Sequence, residues 1–424
     1  MKQTENSTKT RIVILGAGFG GVYTLKHLHA HLHKKKNIEI TIVNPTNYFL
    51  FTPLLHEVAT GSLWPENIIE PLRKLFDCCS VNFIHGNVFS VSTKHKKVKT
   101  SKGEIQYDYL VIALGSQTNF YNVSGAQEHS FVLKTLSDAV ELKNHFIHTF
   151  ERASHVEDSE EKNTLLHFVI VGGGPTGVEL AAEMSEFFYD TFAEFYPKSL
   201  MKHVQISLLH RQNSLLNHLP PSLQEKSFEV LKRKKINVHF GIEVKEIGKD
   251  YLVTSDGKKS FAHTIIWTAG VAPQSMDFDE NIVRDLRERI VVNKYLQIPT
   301  HKDIFVLGDM ASSQNEAGQV LPMLAQVATD EGKIVSENII NEIDRKPLKP
   351  LQYKHTGDLV SLGAWAAVGE IGRFKLWGHF TWWLWRMVYL SKLISFTKKL
   401  TVAIDWTIDL FLPRDISEFY NTKK

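Results

Sequence analysis

Short apolar runs that enter a glycine-rich turn and then take up helical spacing occur twice along the chain. Ile12 to Leu15 leads into Gly16, Gly18 and Gly21 at G-x-G-x-x-G spacing, and VYTLKHLHAHL follows. His167 to Gly177, HFVIVGGGPTG, repeats the device with Gly172, Gly174 and Gly177, and VELAAEMSEFF follows. Each predicts a strand, a tight turn and a helix. The first glycine makes the turn, the second lets a diphosphate approach the backbone, and the third lets the helix pack on the strand. Free backbone N–H groups and the positive end of the helix dipole would face that diphosphate. Two such units imply two dinucleotides, one held as a prosthetic group and one exchanged as a substrate.

The pattern between and after these units fills in the fold. IEITIVN, Ile38 to Asn44, reads as a second strand, and its end carries Asn44 where an acid would normally grip a ribose. An amide can still hydrogen-bond a hydroxyl. In the second unit VQISLLHRQ ends in His210 and Arg211, again without an acid, so both NADH and NADPH stay open there. Residues 81 to 115 read as short strands around a basic KHKK turn. YDYLVIALGS ends in Ala113, Gly115 and Ser116, and FAHTIIWTAG ends in Gly270; small residues at a strand end let the chain turn close to a nucleotide. Far downstream, IFVL delivers Gly308 and Asp309 to a strand end, where the carboxylate can accept hydrogen bonds from a polyol chain. The first nucleotide domain therefore closes with distant sequence, and the second is inserted in it. LKTLSDAVELKNHFIHTFERA reads as a helix capped by Ser137. NYFLFTPLLHEVATGSL, too apolar for a solvated loop, either covers a flat aromatic cofactor or is a buried connection.

Bulk properties change this picture little until the C-terminus. A chain of 424 residues with 43% hydrophobic content supports two or three domains with real cores. The net charge is +3, and residues 351 to 424 hold ten Lys and Arg against six Asp and Glu, so the basic excess lies there. On a helical wheel Trp382, Trp385, Tyr389 and Phe396 share one side, and Trp383, Met387, Leu390 and Ile394 another, with Arg386 and Lys392 near the edges. LTVAIDWTIDLFLP adds apolar residues interrupted by Asp405 and Asp409. Aromatic and basic residues together suit a headgroup boundary, so this reads as an interfacial anchor, with a dimer interface or core helix as the alternative. No run of about 18 apolar residues is present, which argues against a spanning helix, and the polar start MKQTENSTKT lacks a signal-peptide core, which places the chain in the cytoplasm. The only cysteines, Cys78 and Cys79, are adjacent and read as structural thiols, which removes a dithiol route for electrons. No metal cluster is expected, and scattered basic turns do not support nucleic-acid binding.

These motifs in this order resemble two-dinucleotide flavoproteins. NPTNYFLFTPLLHEVATGSL, VIALGS, VGGGPTGVELAAE, WTAGV, FVLGDM and LAQVATDEG, with WLWRMVYLSKL and DWTIDLFLPRD, resemble the type II NADH:quinone oxidoreductases in particular. The resemblance covers nearly the whole chain. It implies an α/β fold of two Rossmann-like domains, the second inserted in the first, plus a C-terminal amphipathic membrane-anchoring segment. The expected boundaries are 8–134 with 271–345 for FAD, 135–270 for NAD(P)H and 346–424 for membrane association. It implies FAD and nicotinamide contacts at Gly16, Gly18, Phe19, Gly20, Gly21, Asn44, Thr52, Gly115, Gly308, Asp309, Ala325 and Gln326, and at Gly172, Gly174, Pro175, Thr176, Gly177, Glu179 and Gly270. Glu179, in the family's V-E-L-A segment, is either a dipole-stabilised structural acid or a group that meets the nicotinamide or moves a proton. The family's A-Q-x-A-x-Q segment keeps Gln326 but has Asp330 for its second glutamine. Glutamine can donate to a quinone carbonyl and an ionised Asp cannot.

The implied chemistry is hydride transfer from NADH to FAD, then two electrons to a membrane quinone without proton pumping. The expected setting is peripheral, on the cytoplasmic side of the cell inner membrane, with a homodimer as a further partner state. Rival readings are a flavoprotein reductase of a small redox protein and a non-catalytic membrane-bound flavin sensor. Sulfide:quinone oxidoreductases share the architecture but need cysteines that this chain lacks.

Overall fold

The computed structural model describes residues 9–75 and 81–418, so Cys78 and Cys79 lie outside the described residues. By packing, the described chain forms two units. One holds the residues up to Leu50, Glu70–Gln117 and Val271–His355; the other holds Phe51–Ile69, Thr118–Gly270 and the chain from Thr356 onward.

The first unit is built on a six-stranded sheet. Thr10–Leu15 lies at its centre, parallel to Ile38–Asn44 on one side and Tyr109–Ile112 on the other. His301–Val306 adds in parallel beyond Tyr109–Ile112, with Ile304 opposite Leu110, so distant sequence does complete this sheet. Ile12, Ile14, Leu15, Ile42, Val43, Leu110 and Ile112 are fully buried, as the central strands of a parallel sheet covered on both faces must be. The helix Phe19–Leu32 packs on the helix Ala325–Ile343. Their close approach needs Gly332, where a Cβ would stand 2.9 Å from the Gly20 carbonyl oxygen and from Thr24 Oγ1. Val88–Ser92, Lys97–Thr100 and Gly103–Gln106 form an antiparallel meander, with Lys96 of the basic turn at φ 50°.

The second unit repeats the design with five parallel strands in the order Phe131–Val132, Thr264–Trp267, His167–Val171, Gln205–His210 and Ile236–Phe240. The helix Leu136–His155 is capped by Thr135, not by Ser137: Thr135 Oγ1 accepts from Asp138 N–H, and Asp138 Oδ2 accepts from Thr135 N–H. The reciprocal pair satisfies two amide groups at the helix start, which a cap two residues later could not do. Phe146, Phe150, Phe168, Phe188 and Phe192 fill the space beside the sheet with edge-on and tilted ring contacts.

From residue 356 onward the second unit continues as a three-stranded antiparallel sheet, Gly357–Ser361, Ala367–Ile371 and Phe374–Trp377. Two helices follow, His379–Lys392 and Phe396–Asp409. This corrects the helical wheel, since Phe396 opens a new helix whose cap is Ser395, accepting from Lys398 N–H. It also corrects Arg386, which is buried rather than at an edge. Its guanidinium carbon lies 3.9 Å from the centre of the Trp382 ring and 5.0 Å from that of Trp406. Among the described residues no helix is long and apolar enough to cross a membrane.

Candidate nucleotide sites and a buried carboxyl cluster

The first glycine turn joins Thr10–Leu15 to the helix Phe19–Leu32. Gly16 has φ +97°, and a Cβ on it would collide with the Ala113 carbonyl. A Cβ on Gly21 would collide with the Gly16 carbonyl oxygen, which is how the helix start packs on the turn. Gly18, by contrast, faces open space: nothing lies within 4 Å of its Cβ position. That combination, two glycines crowded by protein and one facing outward over a helix N-terminus, leaves room for a diphosphate at the place where amide groups point. Gly20 packs on Leu307, and Phe19 meets Phe49 edge-on at 5.1 Å.

Asn44 is placed differently from the ribose-binding reading. Its Oδ1 accepts from Ala17 N–H at 2.8 Å, and its Nδ2 donates to Thr46 O and Oγ1, both at 2.9 Å. Both donors of the amide and one acceptor site are thus spent on holding the glycine turn, leaving a single lone pair for a ligand. Asp309, in the turn Gly308–Met310, accepts a hydrogen bond from the Ser116 hydroxyl through Oδ2, which leaves Oδ1 for a polyol. Gly115 also faces open space, at φ +74°. Ala325, Gln326 and Asp330 lie half-buried on the first two turns of Ala325–Ile343. Thr52 is exposed and packs with the second unit.

Sequence reasoning missed Glu331, fully buried on that helix. It accepts from Gly308 N–H at 2.6 Å and Ser313 Oγ at 2.5 Å, yet burial pushes its carboxyl up to about 7.

The second glycine turn repeats the first. Gly172 has φ +124°, with a Cβ position 2.8 Å from Ala269 Cα, and Gly177 is crowded by the Gly172 carbonyl. Gly174 again faces open space, with Pro175 and Thr176 exposed beside it. The clamp recurs as well: His210 Nδ1 accepts from Gly173 N–H at 3.0 Å, as Asn44 does from Ala17. Gly270 packs on the Tyr121 ring.

The helix Pro175–Glu186 that starts at this turn carries three carboxyl groups on one buried face. Glu179 Oε1 accepts from Ser361 N–H at 3.1 Å, and its Oε2 lies 3.9 Å from His56 Nδ1. Burial raises the Glu179 carboxyl well above its ordinary range, and nearby Glu57 and Glu183 push the same way. Burial drops His56 to about 3, so the imidazole beside Glu179 is neutral. Glu57 accepts from Trp406 Nε1 at 2.7 Å, and burial pushes it up to about 8. Arg414 reaches into the cluster from the tail. Its Nη2 stands 2.8 Å from Glu183 and 3.3 Å from Glu186, and its Nε stands 2.8 Å from Asp409. Lys234 pairs with Glu186, and Ala364 N–H donates to it at 2.6 Å.

Five carboxyl groups, Glu57, Glu179, Glu183, Glu186 and Asp409, thus share this interior with three cations, Arg386, Arg414 and Lys234. Glu57 and Glu179 are the two that lack a direct cation partner, and burial raises both carboxyls. Of this cluster only Glu179 was anticipated. Its other members come from segments far apart in the chain, where no local pattern marks them.

The chain matches the model of the pyridine nucleotide-disulphide oxidoreductase family over residues 10–332 and that of the NDH2 C-terminal domain over residues 355–415. It is 32% identical over 419 residues to a probable NADH dehydrogenase of Dictyostelium discoideum, covering 96% of this chain and 91% of that protein. It is 26% identical over 524 residues to the external alternative NAD(P)H-ubiquinone oxidoreductase B4 of Arabidopsis thaliana, covering 96% of this chain and 89% of that protein. In three dimensions it resembles NDH2 from Plasmodium falciparum, solved in complex with NADH, with a TM-score of 0.89 at 22% identity, covering 96% of this chain and 100% of that one. The chain belongs to the pyridine nucleotide-disulphide oxidoreductases and, within them, to the type II NADH:quinone oxidoreductases.

Proposed function

We propose that the protein oxidises NADH on a bound FAD and delivers the two electrons to a membrane quinone without pumping protons. The observation that carries this reading is the duplicated turn, in which Gly18 and Gly174 each face open space at a helix start while their neighbouring glycines are locked against protein. The FAD diphosphate is assigned to Gly16–Gly21, its polyol to Asp309, and the nicotinamide dinucleotide to Gly172–Gly177. FAD held by these residues would supply the hydride-accepting and two-electron-donating chemistry between the nicotinamide and the acceptor.

The chain's own part is positioning and proton supply. Asn44 and His210 fix the shapes of the two turns by accepting an amide hydrogen from each. Quinone reduction consumes protons, and Glu179, whose carboxyl is raised well above its ordinary range by burial and by the nearby Glu57 and Glu183, is the group assigned to supply one. Gln326 and Asp330 are assigned to the acceptor. The boundaries 8–134 with 271–345, 135–270 and 346–424 are kept as the FAD, nicotinamide and membrane regions.

The apolar residues left exposed on the C-terminal helices, among them Phe380, Trp383, Met387, Phe396, Leu400 and Ile404, support a peripheral seat on a membrane, which is assigned to the cytoplasmic face of the inner membrane. Anaerobic addition of NADH to the purified holoprotein tests the whole reading. Flavin absorbance is expected to bleach and then return on addition of a soluble quinone. A colourless protein, or a yellow one that NADH leaves oxidised, overturns it.

A further inference from the structure

Glu331 is a buried acid of the first unit with no part in the assigned hydride and electron transfer. Its helix, Ala325–Ile343, is fixed against the first glycine turn by the next residue, Gly332, whose missing Cβ lets the helix come into contact with Gly20 O and Thr24. Glu331 reaches the other way. Its Oε2 accepts from Gly308 N–H at 2.6 Å and its Oε1 from the Ser313 hydroxyl at 2.5 Å, so one carboxyl bridges both ends of the segment that carries Asp309. Gly308, at φ +67°, has its Cβ position 3.3 Å from Ala328 Cβ, so the turn lies directly on this helix. Asp309 is steadied from another side by the Ser116 hydroxyl. Two adjacent residues of one helix therefore set the spacing between the place for the diphosphate and the place for the polyol.

The charged neighbours of Glu331 are acids, Asp309 on the turn and Asp330 on its own helix. Gly20 and Thr24, which approach from the helix Phe19–Leu32, do not ionise, and His27 further along that helix faces Lys333 and Glu337. On the strand side Asp285 bonds Ser312 and is paired with Arg289 at 2.7 Å. Among the described residues no cation makes an ion pair with Glu331. Burial raises the carboxyl and its two hydrogen bonds pull it back, leaving it at about 7, so its proton is exchanged near neutrality. Gln326, assigned to the flavin, lies on the same helix about 7.5 Å away along the axis. Across a buried path of that length, a carboxylate opposes the gain of negative charge.

We propose that Glu331 is a positioning residue for FAD and couples its reduction to uptake of a proton by the protein: Glu331 is protonated beside the reduced cofactor and ionised beside the oxidised one. This rests on the assignment of FAD to Gly16–Gly21 and Asp309. The electrons come from the nicotinamide and leave to the acceptor. The proton comes from solvent and returns to it, and the carboxyl O–H is the only bond that Glu331 makes or breaks.

The test uses the FAD-loaded protein and two variants. Glu331→Gln keeps the size of the side chain and can still accept from Gly308 N–H, but it cannot ionise. In spectroelectrochemical titrations from about pH 6 to about pH 8, the wild-type flavin potential is expected to fall more steeply than that of Glu331→Gln, with the two close at the acid end and the variant higher at the alkaline end. A brace without charge coupling would not separate these profiles. Glu331→Ala removes the brace and is expected to weaken FAD binding by about 10- to 100-fold, the range of a hydrogen bond to a charged group, with Glu331→Gln restoring most of it. Parallel potential profiles for wild type and Glu331→Gln, or undiminished FAD affinity in Glu331→Ala, overturn the proposal and leave the FAD assignment standing. Should Glu331→Ala fail to fold, the potential profiles alone decide. A wild-type protein that binds no FAD removes the assignment and the proposal together.

Discussion

Arg414 Nη2 lies 2.8 Å from Glu183 Oε2, with both side chains almost wholly buried. One residue of an extended tail thereby ties the nucleotide-turn helix Pro175–Glu186 to the terminal helix Phe396–Asp409, because the same guanidinium also bonds Asp409. Burying such a pair gains little over an apolar substitute, but removing one partner strands the other charge. Arg414→Ala is expected to cost about 3–5 kcal/mol, read as a lowered urea midpoint of the unit that contains it. An unchanged midpoint would show that the cluster is solvated in solution and carries no structural load.

The carboxyls of this cluster set a pH dependence whose sign follows from their direction of shift. Glu57 is raised to about 8 and Glu183 to about 7, so between their unfolded value near 4.5 and these values the folded state holds protons that the unfolded chain releases. Stability from these groups is therefore greatest below about pH 4.5 and falls as pH rises toward 8. His56, lowered to about 3, acts oppositely, but only up to its unfolded value of 6.5. Between pH 6.5 and 8 the wild type is expected to lose stability as pH rises, and Glu57→Gln, which cannot ionise, to show a shallower loss. Denaturant midpoints across that interval check it, and parallel profiles for the two proteins would refute the assignment of Glu57.

How much of this could be read before the structure depended on distance along the chain. Gly16, Gly18 and Gly21 sit within one turn, so their spacing carried their geometry, and the same holds for Gly172, Gly174 and Gly177. The return of His301–Val306 to the first sheet was legible from IFVLGD because a buried strand ending in small residues has few other uses. Arg386 was misplaced because a wheel treats a cation as an edge residue, whereas Trp382 and Trp406 stack on it inside the protein. Phe396 was misplaced because the wheel ran through Ser395, whose hydroxyl starts a new helix. Asn44 had the right position but an inward job, and only its three hydrogen bonds reveal that. Glu57, Glu183 and Arg414 carry no local signature, since each takes its character from partners brought in by tertiary packing.

Glu179→Gln separates a structural acid from one that moves a proton. The amide keeps the size of the neutral carboxyl and can still accept from Ser361 N–H, so folding and flavin content are expected to be unchanged. If Glu179 supplies a proton, quinone-dependent kcat falls by about 10²-fold or more while bleaching by NADH proceeds at its former rate. Retention of the wild-type kcat and of its pH profile would remove Glu179 from the mechanism.

Asp330 stands where the family pattern has glutamine, on the helix Ala325–Ile343 next to the buried Glu331. Glutamine donates to a carbonyl oxygen and an ionised carboxylate does not. Asp330→Gln is expected to change the KM for quinone severalfold and to leave flavin bleaching by NADH as it was. A change confined to bleaching would show that this turn of helix does not face the acceptor.

The exposed apolar residues of the last two helices lead to a prediction about membranes that a docking role on protein would not share. Thr381, Trp382, Trp385 and Arg386 point inward on the first helix, while Phe380, Trp383 and Met387 stay exposed. On the second, Val402, Asp405 and Trp406 are buried, and Asp405 accepts from Asn67 Nδ2 at 2.6 Å, so its acids anchor the helix to the protein and do not interrupt the outer face. That outer face carries Phe396, Leu400, Ile404 and Ile408. Each large apolar side chain moved from water into lipid contributes roughly 1.5–3 kcal/mol, so removing two is felt strongly. Trp383→Ser with Phe396→Ser is expected to lower partitioning onto anionic lipid vesicles by at least about tenfold, with NADH bleaching of the flavin unaffected. Vesicle co-sedimentation measures the first and stopped-flow absorbance the second. Undiminished sedimentation of the double variant would mean that these helices meet something other than lipid.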